Sequence, residues 1–554
     1  VINGTLSGEG TLSMQGGYLL SNSETLNGFD GAVNVNDAGR LAINVKAEGN
    51  QTLTKSVSTD SDSWLVKLGK GTLGFDFNDT TRNGTALNVW VYRGTVILDE
   101  NTSFGNIRVD ETAEGITVNG LTKLETLTGS GQIFMDFDFG SDHNNGSLGD
   151  AGDGLKVSGS ASGDYVLVAS SNDLNKGAVE TLRVMEVDGD ATDFELALQN
   201  GYIVSGAFDY RLVRTDEGDG AVFDLTSVDG IYDRRNTTVT AGSYIGIAYA
   251  GQMFDLSLHD RVGNRDWINP ATGEKQTTSL WMHHTMSHER FRDSTEQLRM
   301  RTTSNTTMLG GDLIQWTPSG SGLAYVGVMG GYGTMDTKTH SKQTDRNSSA
   351  ETDAWGVGVY GGWKADANGQ FGPYVDGWIM FTHASSDVTG SYEDTENVNG
   401  QGLSAQLEAG WGFKLGSVTT NNGKVANFTI EPHASVTWFG MQYDEIHNDA
   451  QDVEFEGSNN IRTRLGARAI LTEEGNKDFN AFVETNWVHN SKEYGATISG
   501  LTVNQTGSKN QAEARIGMDW HLTQDISVWG RLGASFGSDG YSEREGSIGV
   551  RYQF

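Results

Sequence analysis

The sequence predicts an all-β chain. It would be the C-terminal end of a right-handed parallel β-helix, followed by a C-terminal 12-stranded antiparallel transmembrane β-barrel with a helix through the lumen. Three observations predict this. A glycine-flanked leucine motif returns along residues 1–150. The last part alternates apolar and polar residues in long strands, joined by short and long connections in turn. No apolar run reaches the roughly 18 residues that a membrane-spanning helix needs.

The first element is repetitive. Leu6-Ser7-Gly8-Glu9-Gly10-Thr11-Leu12 returns loosely as Leu68-Gly69-Lys70-Gly71-Thr72-Leu73 and as Leu127-Thr128-Gly129-Ser130-Gly131-Gln132-Ile133. Between these copies, residues 31–45 and 86–98 alternate in polarity. Short strands about every 20 residues, parted by Gly, Asn and Asp turns, are the pattern of solenoid rungs. Residues 1–150 are therefore read as rungs, with a β-sandwich as the alternative. Strands in 151–225 are longer and less repetitive, as a folded cap on the solenoid end would be.

Within a linker at 226–276, residues 243–262 read as a helix between Ser243 and Gly263. About 20 residues at ~1.5 Å each give about 30 Å. Asp255, His259, Asp260 and Arg261 keep this helix from facing lipid. Gly246, Ala248, Ala250 and Gly251 make it slim enough to sit inside a barrel.

From 277 to 554 twelve strands are predicted, near 278–290, 303–316, 322–335, 351–364, 371–386, 401–415, 425–442, 460–471, 478–490, 510–522, 526–537 and 544–554. Residues 336–350, 387–400, 443–459 and 491–509 read as long polar loops at one end. The polar parity carries Asp376, Glu408, Glu431, Arg462, Arg464, Arg468, Glu484, Glu513, Arg515 and Asp519, the expected lumen lining. Alternation alone does not separate a wet sandwich from a membrane barrel. Trp316, Trp363, Trp438, Trp487 and Tyr552 near strand ends suggest interfacial girdles. The final strand places Ile548, Val550, Tyr552 and Phe554 on one face, and closure against the first strand would leave no free edge.

Composition sets limits. The 554 residues include 74 Gly, 4 Pro and no Cys, so no disulfide framework or thiolate metal site is available. The aromatic content, 13 Trp, 17 Tyr and 22 Phe, argues against disorder. A net charge of −33 with no basic run argues against nucleic acid as a partner. The chain opens inside repeat structure without a signal peptide, so the numbering is expected to start within a longer precursor.

The stretch 241–263 (AGSYIGIAYAGQMFDLSLHDRVG), the segment TSLWMHHTMSHERFRDSTEQLRM, LGGDLIQW, VGVMGGYG, YVDGWIMF, LEAGWGF, NNIRTRLGARA, FVETNWVHNSKEY and VRYQF resemble the translocator of classical monomeric autotransporters (type V secretion). The branch is pertactin-like and diffuse-adherence-adhesin-like, and the resemblance runs over about 241–554. It implies a passenger β-helix in 1–150, an autochaperone-like cap in 151–225, a lumenal helix, and an outer-membrane translocator that delivers its own passenger. An adhesin or similar surface factor is the expected passenger. The implied partners are outer-membrane lipid and lipopolysaccharide, the barrel-assembly machinery and periplasmic chaperones. The assembly machinery would read Ile548, Val550, Tyr552 and Phe554. The passenger's ligand is unknown. Relatives that cut themselves do so at paired asparagines in the linker. Residues 236–263 hold only Asn236, so no cleavage site is assigned.

No G-x-S-x-G elbow and no H-E-x-x-H helix occurs. His283 faces opposite to His284 and His288 on a strand, so no metal site is read there. The segment 136–146 is oxygen-rich but lacks EF-hand spacing, and reads as a solvated loop. No catalytic residue, cofactor or metal is expected, and the chain is not read as an enzyme. The alternative is a soluble β-solenoid acting on polysaccharide with an appended β-domain, which requires a water-soluble C-terminal half. A plain diffusion porin leaves the solenoid and the helix unexplained.

Overall fold

The computed structural model describes the chain except residues 3, 47–48, 78–85, 141–145, 172–176, 178, 230–233, 263–278, 319–321, 366–370, 391–394, 420–424, 449, 474–478, 524 and 554. It forms two compact units, 1–236 with 448–451, and 237–447 with 452–554.

The first unit is a parallel β-helix. Leu41, Leu65, Val89, Ile107 and Leu127 sit in register on successive rungs. A second column stacks Leu73, Val96, Ile116, Ile133 and Leu167 on an adjoining sheet. All ten are fully buried, and each contributes about 1.5–3 kcal/mol by leaving water. Short strands Thr11–Gln15, Ala32–Asn36 and Val57–Thr59 form a third parallel face. The repeated motif's glycines mark rung corners. Gly129 has φ 109°, and a Cβ there would collide with the Val109 backbone of the preceding rung.

The parallel order ends at Thr181–Val187, which pairs antiparallel with Gly220–Thr226. That strand pairs antiparallel in turn with Phe208–Glu217. Phe194 and Phe223 meet edge-on, with ring centroids 5.6 Å apart, and close the core. Arg235 lies 3.5 Å over the Phe208 ring and donates to the Tyr210 hydroxyl at 2.8 Å. Burial pushes that phenol up to about 12. Of the oxygen-rich loop, residues 141–145 lie outside the described residues.

The second unit is a closed antiparallel barrel of twelve long strands. They are Ser279–Asp293, Leu298–Trp316, Leu323–Ser341, Asn347–Lys364, Gly372–Gly390, Glu396–Thr419, Val425–Phe439, Asn460–Glu473, Phe479–Asn490, Asn510–His521, Ile526–Gly537 and Ser542–Gln553. The first closes on the last, from Ser279 opposite Gln553 to Arg290 opposite Ser542. Val436 is 48% exposed, whereas its neighbours Ser435 and Thr437 are 3% and 1% exposed. Apolar side chains therefore point out and polar ones point in. A water-soluble C-terminal half, which the polysaccharide-acting alternative requires, would have the reverse.

Aromatics mark both rims of the outer surface: Trp316, Trp411, Trp520 and Tyr552 at one end, Tyr332, Trp355, Trp438 and Trp487 toward the other. Trp355 and Trp363 share a strand eight residues apart, about 26 Å at ~3.3 Å per residue. With strand tilt this fits the ~25 Å apolar band of an outer-membrane barrel.

Three expectations are corrected. The predicted loops 336–350 and 387–400 are largely strand, since pairing continues to Ser341, resumes at Asn347 and runs to Gly390. Beyond the membrane both strand faces are polar, which removes the alternating signal. The predicted loops 443–459 and 491–509 carry short strands, with Asp452–Glu456 paired to Gly495–Ile498. The predicted helix over 243–262 is not continuous. It comprises Thr240–Ala248, a 3₁₀ turn at Ala250–Gln252, and a further turn at Leu258–Val262. Gly251 falls where the helix gives way to the 3₁₀ turn, and glycine costs about 1 kcal/mol relative to alanine in a helix. Ser257 restarts it, since its backbone N–H and its hydroxyl both donate to Asp260 Oδ2, at 2.9 and 2.6 Å.

Candidate functional site: the plugged barrel lumen

Strand parity builds the wall. Glu431, Arg468, Glu484 and Arg515 face one another in register across four adjacent strands. They form an inward row of alternating charge. Arg468 Nε and Nη2 bind Glu484 Oε2 at 2.8 and 2.5 Å, and its Nη1 lies 3.3 Å from Glu431. The row continues past Gly533, which has no side chain, where Arg515 reaches Glu545 at 3.5 Å. Arg515 also meets Glu513 at 3.2 Å, and Arg464 meets Glu513 at 3.3 Å. Such pairs are close to neutral for stability while intact, but removing one partner strands a buried charge.

The linker segment fills the space inside. Gly242 and Gly246 let the helix lie flush on the wall, because a Cβ at either would overlap Thr339 or Thr337. The Ser243 hydroxyl is 2.7 Å from that of Ser348 and 3.2 Å from that of Thr339. Ala250 is fully buried. Each charged residue named on the plug finds a wall partner. Asp255 pairs with Arg462 at 3.2 Å, and Arg462 also donates to Gln252. His259 Nε2 lies 2.9 Å from Glu431. Asp260 takes Arg531 at 2.5 Å, with Arg515 at 3.7 Å. Arg261 binds Asp376 and lies 4.8 Å over the Tyr360 ring.

Asp376 and Glu408 oppose each other on adjacent strands. Two facing carboxylates repel, and here each has its own donors. Tyr325 donates to Asp376 at 2.6 Å alongside Arg261. Tyr374 and the plug's Leu258 N–H donate to Glu408 at 3.0 and 3.2 Å. Asp519 is buried 3.6 Å from Arg531. All ten expected lining residues therefore point inward. Sequence reasoning did not single out Arg531, Glu545, Tyr325, Tyr360, Tyr374, Gln406 or Trp378. Inward strand parity marks all of them, the charged Arg531 and Glu545 as well as the polar and aromatic residues. Trp378 donates to the plug's Leu256 carbonyl at 2.9 Å, a contact 122 residues apart in sequence.

A cavity of about 90 Å³ remains beside the plug, among Tyr249, Asp255, Arg462 and Glu513. That is room for water molecules but not for an extended chain. Ile548 and Tyr552 of the last strand face outward; Phe554 lies outside the described residues. His283 is buried and stacks on Trp529, while His284 and His288 face the other way. Among the described residues no group of His, Asp and Glu is arranged to hold a metal ion, and no helix is long and apolar enough to cross a membrane.

Comparison with known proteins gives the same picture. The autotransporter β-domain family matches residues 280–533, and the pertactin family matches 99–227. YdeU of Escherichia coli K12 is 29% identical over 429 residues, 73% of this chain and 92% of that protein. YuaQ of the same strain is 32% identical over 426 residues, 73% of this chain but 31% of that protein. The Escherichia coli autotransporter adhesin AIDA-I is 28% identical over 413 residues, 73% of this chain and 32% of that protein. The chain thus spans about a third of the length of YuaQ and AIDA-I. The crystal structure of the AIDA-I transport unit superposes with a TM-score of 0.52 at 26% identity, covering 58% of this chain and all of that one.

Proposed function

We propose that the chain is an outer-membrane autotransporter translocator with a pertactin-like passenger region, and that its passenger is a non-enzymatic adhesin held at the cell surface. The observation that carries this reading is the plug. The chain that follows the solenoid enters the barrel at Thr237 and stays there, bound through Asp255, His259, Asp260 and Arg261. A lumen lined with both signs of charge would let a polar chain pass and then hold the last segment. The antiparallel cap at 181–226 would fold first outside and bias movement outward as rungs add to it. The barrel-assembly machinery would recognise Ile548, Val550, Tyr552 and Phe554, with periplasmic chaperones holding the unfolded chain beforehand.

The test is a gel of detergent-extracted outer membrane, unboiled and boiled, beside protease treatment of whole cells. A mobility shift on heating, with residues 1–225 cut from outside, is the expected result. A protein found only in soluble fractions, without a shift, would overturn the reading.

A further inference from the structure

Residues 1–236 hold two tryptophans, Trp64 and Trp90, and both lie on the outer face of one solenoid sheet. In that sheet Leu41, Leu65, Val89 and Ile107 point into the core, so the positions beside them point out. Two outward columns result. The first runs Tyr18, Arg40 and Trp64 across three paired strands. The second runs Ala42, Val66, Trp90, Arg108 and Thr128 across five. None of these positions is acidic, although the chain has 72 Asp and Glu against 39 Lys and Arg.

These side chains lie flat on the sheet. Arg40 stands two strands from Trp90, yet its guanidinium carbon is 5.0 Å from the centre of the Trp90 ring. The two side chains lean toward each other across the intervening strand, whose outward Val66 is only 3% exposed. Arg108 brings a second guanidinium to the same ring, at 4.5 Å. Tyr92 meets Trp90 edge-on, with ring centroids 6.1 Å apart. The result is a level platform of rings and guanidinium groups. Tyr18 and Tyr92 are 57% and 41% exposed, and Arg40 and Arg108 are exposed with them. Neither arginine is paired with a carboxylate among the described residues.

We propose that this platform is a ligand site of the passenger, and that it takes a carboxylate-bearing glycan built of uronic or sialic acid units. The proposal rests on the surface-passenger reading above and gives that passenger a ligand class. Trp, Tyr and Arg are the residues that dominate recognition surfaces. A sugar ring lays its C–H face on an aromatic ring, and its carboxylate accepts two hydrogen bonds from a guanidinium fork. A level platform suits such flat rings. It does not suit an acidic peptide added as a strand. Arg40–Asn44, Trp64–Leu68 and Leu87–Val91 are each paired on both sides, so no sheet edge is open beside Trp90.

The full chain, purified in detergent, would be passed over surfaces carrying polygalacturonate, polysialate, neutral dextran or polyglutamate. Wild type is expected to bind an acidic glycan, more weakly as salt rises, and to bind dextran and polyglutamate far less. R40Q/R108Q is expected to bind about tenfold more weakly or worse, since a hydrogen bond to a charged group is lost at each arginine. R40K/R108K keeps the charge without the fork and should fall between. Y18S/Y92S removes two exposed rings and should bind severalfold more weakly. Should R40Q/R108Q lower the denaturant midpoint of the solenoid, Y18S/Y92S carries the test, because neither ring belongs to the core. Absence of binding to both acidic glycans, equal binding of dextran or polyglutamate, or equal binding by wild type and the variants would overturn the proposal. Residues 1–225 shielded from protease on whole cells would instead bring down the surface-passenger reading, and leave the binding result standing.

Discussion

In the solenoid, Leu41, Leu65, Val89, Ile107 and Leu127 stack in register and none is exposed. In the barrel, Leu309, Val357, Leu407, Leu465 and Val483 are about half exposed or more, while Arg468, Glu431 and Glu484 are buried. Both regions are strands with period-two alternation. The difference lies in the solvent on each side. A solenoid hides its apolar face from water, whereas a membrane barrel offers that face to lipid and gathers its charges inside. The same pattern therefore yields an apolar core in one unit and an ionic core in the other. The two cores should fail in different ways.

The largest effect is expected in the ionic core. Arg468→Ala leaves Glu431 and Glu484 without their shared partner, at a cost of about 3–5 kcal/mol. Unboiled gels of this variant should show the barrel unfolding at a lower temperature, with the rate of solenoid cleavage by protease unchanged. In the apolar core, Leu65→Ala should cost about 2–5 kcal/mol. It should make residues 1–225 more quickly cut by protease and leave the heat shift intact. On the lipid face, Leu465→Ala creates no internal cavity and should be milder than Leu65→Ala. Leu465→Arg should cost about 2–4 kcal/mol in the bilayer, read as reduced insertion into vesicles.

A smaller effect should separate the units by pH. Lys67 is buried in the solenoid, where its ammonium donates to the carbonyls of Gly69 and Arg93, each at 2.8 Å. Burial lowers it from the ordinary 10.5 to about 8. Between those values the unfolded chain binds more protons than the folded one, so solenoid stability should rise as pH goes from 8 toward 10.5. Denaturant melts of the solenoid should show this rise, and Lys67→Met should flatten it.

Much of this was legible in the sequence. The alternation of residues 510–522 gives the facing of Glu513, Arg515 and Asp519, and the Gly-flanked leucines give the rungs. Where both faces carry polar residues the period vanishes, so Lys338 and His340 read as loop although they sit in strand. Parity also gives facing without partners. That Asp260 meets Arg531, 271 residues away, follows from barrel closure and the depth of the plug, neither of which a local pattern carries. Gly246, Ala248, Ala250 and Gly251 signalled a slim segment, and the helix that the spacing predicts breaks after Ala248, where Gly251 falls in a 3₁₀ turn.

The central claim is that neighbouring residues on one barrel strand face lipid and a polar lumen. The chain has no cysteine, so Ser435→Cys and Val436→Cys each give a single labelling site. Spin labels at the two positions in vesicles would be tested against oxygen, which partitions into lipid, and a charged nickel complex, which does not. The account expects the label at 436 to respond to oxygen and be shielded from nickel, with oxygen favoured less at 435. A label at 436 that responds strongly to nickel would place that face in water and contradict the account.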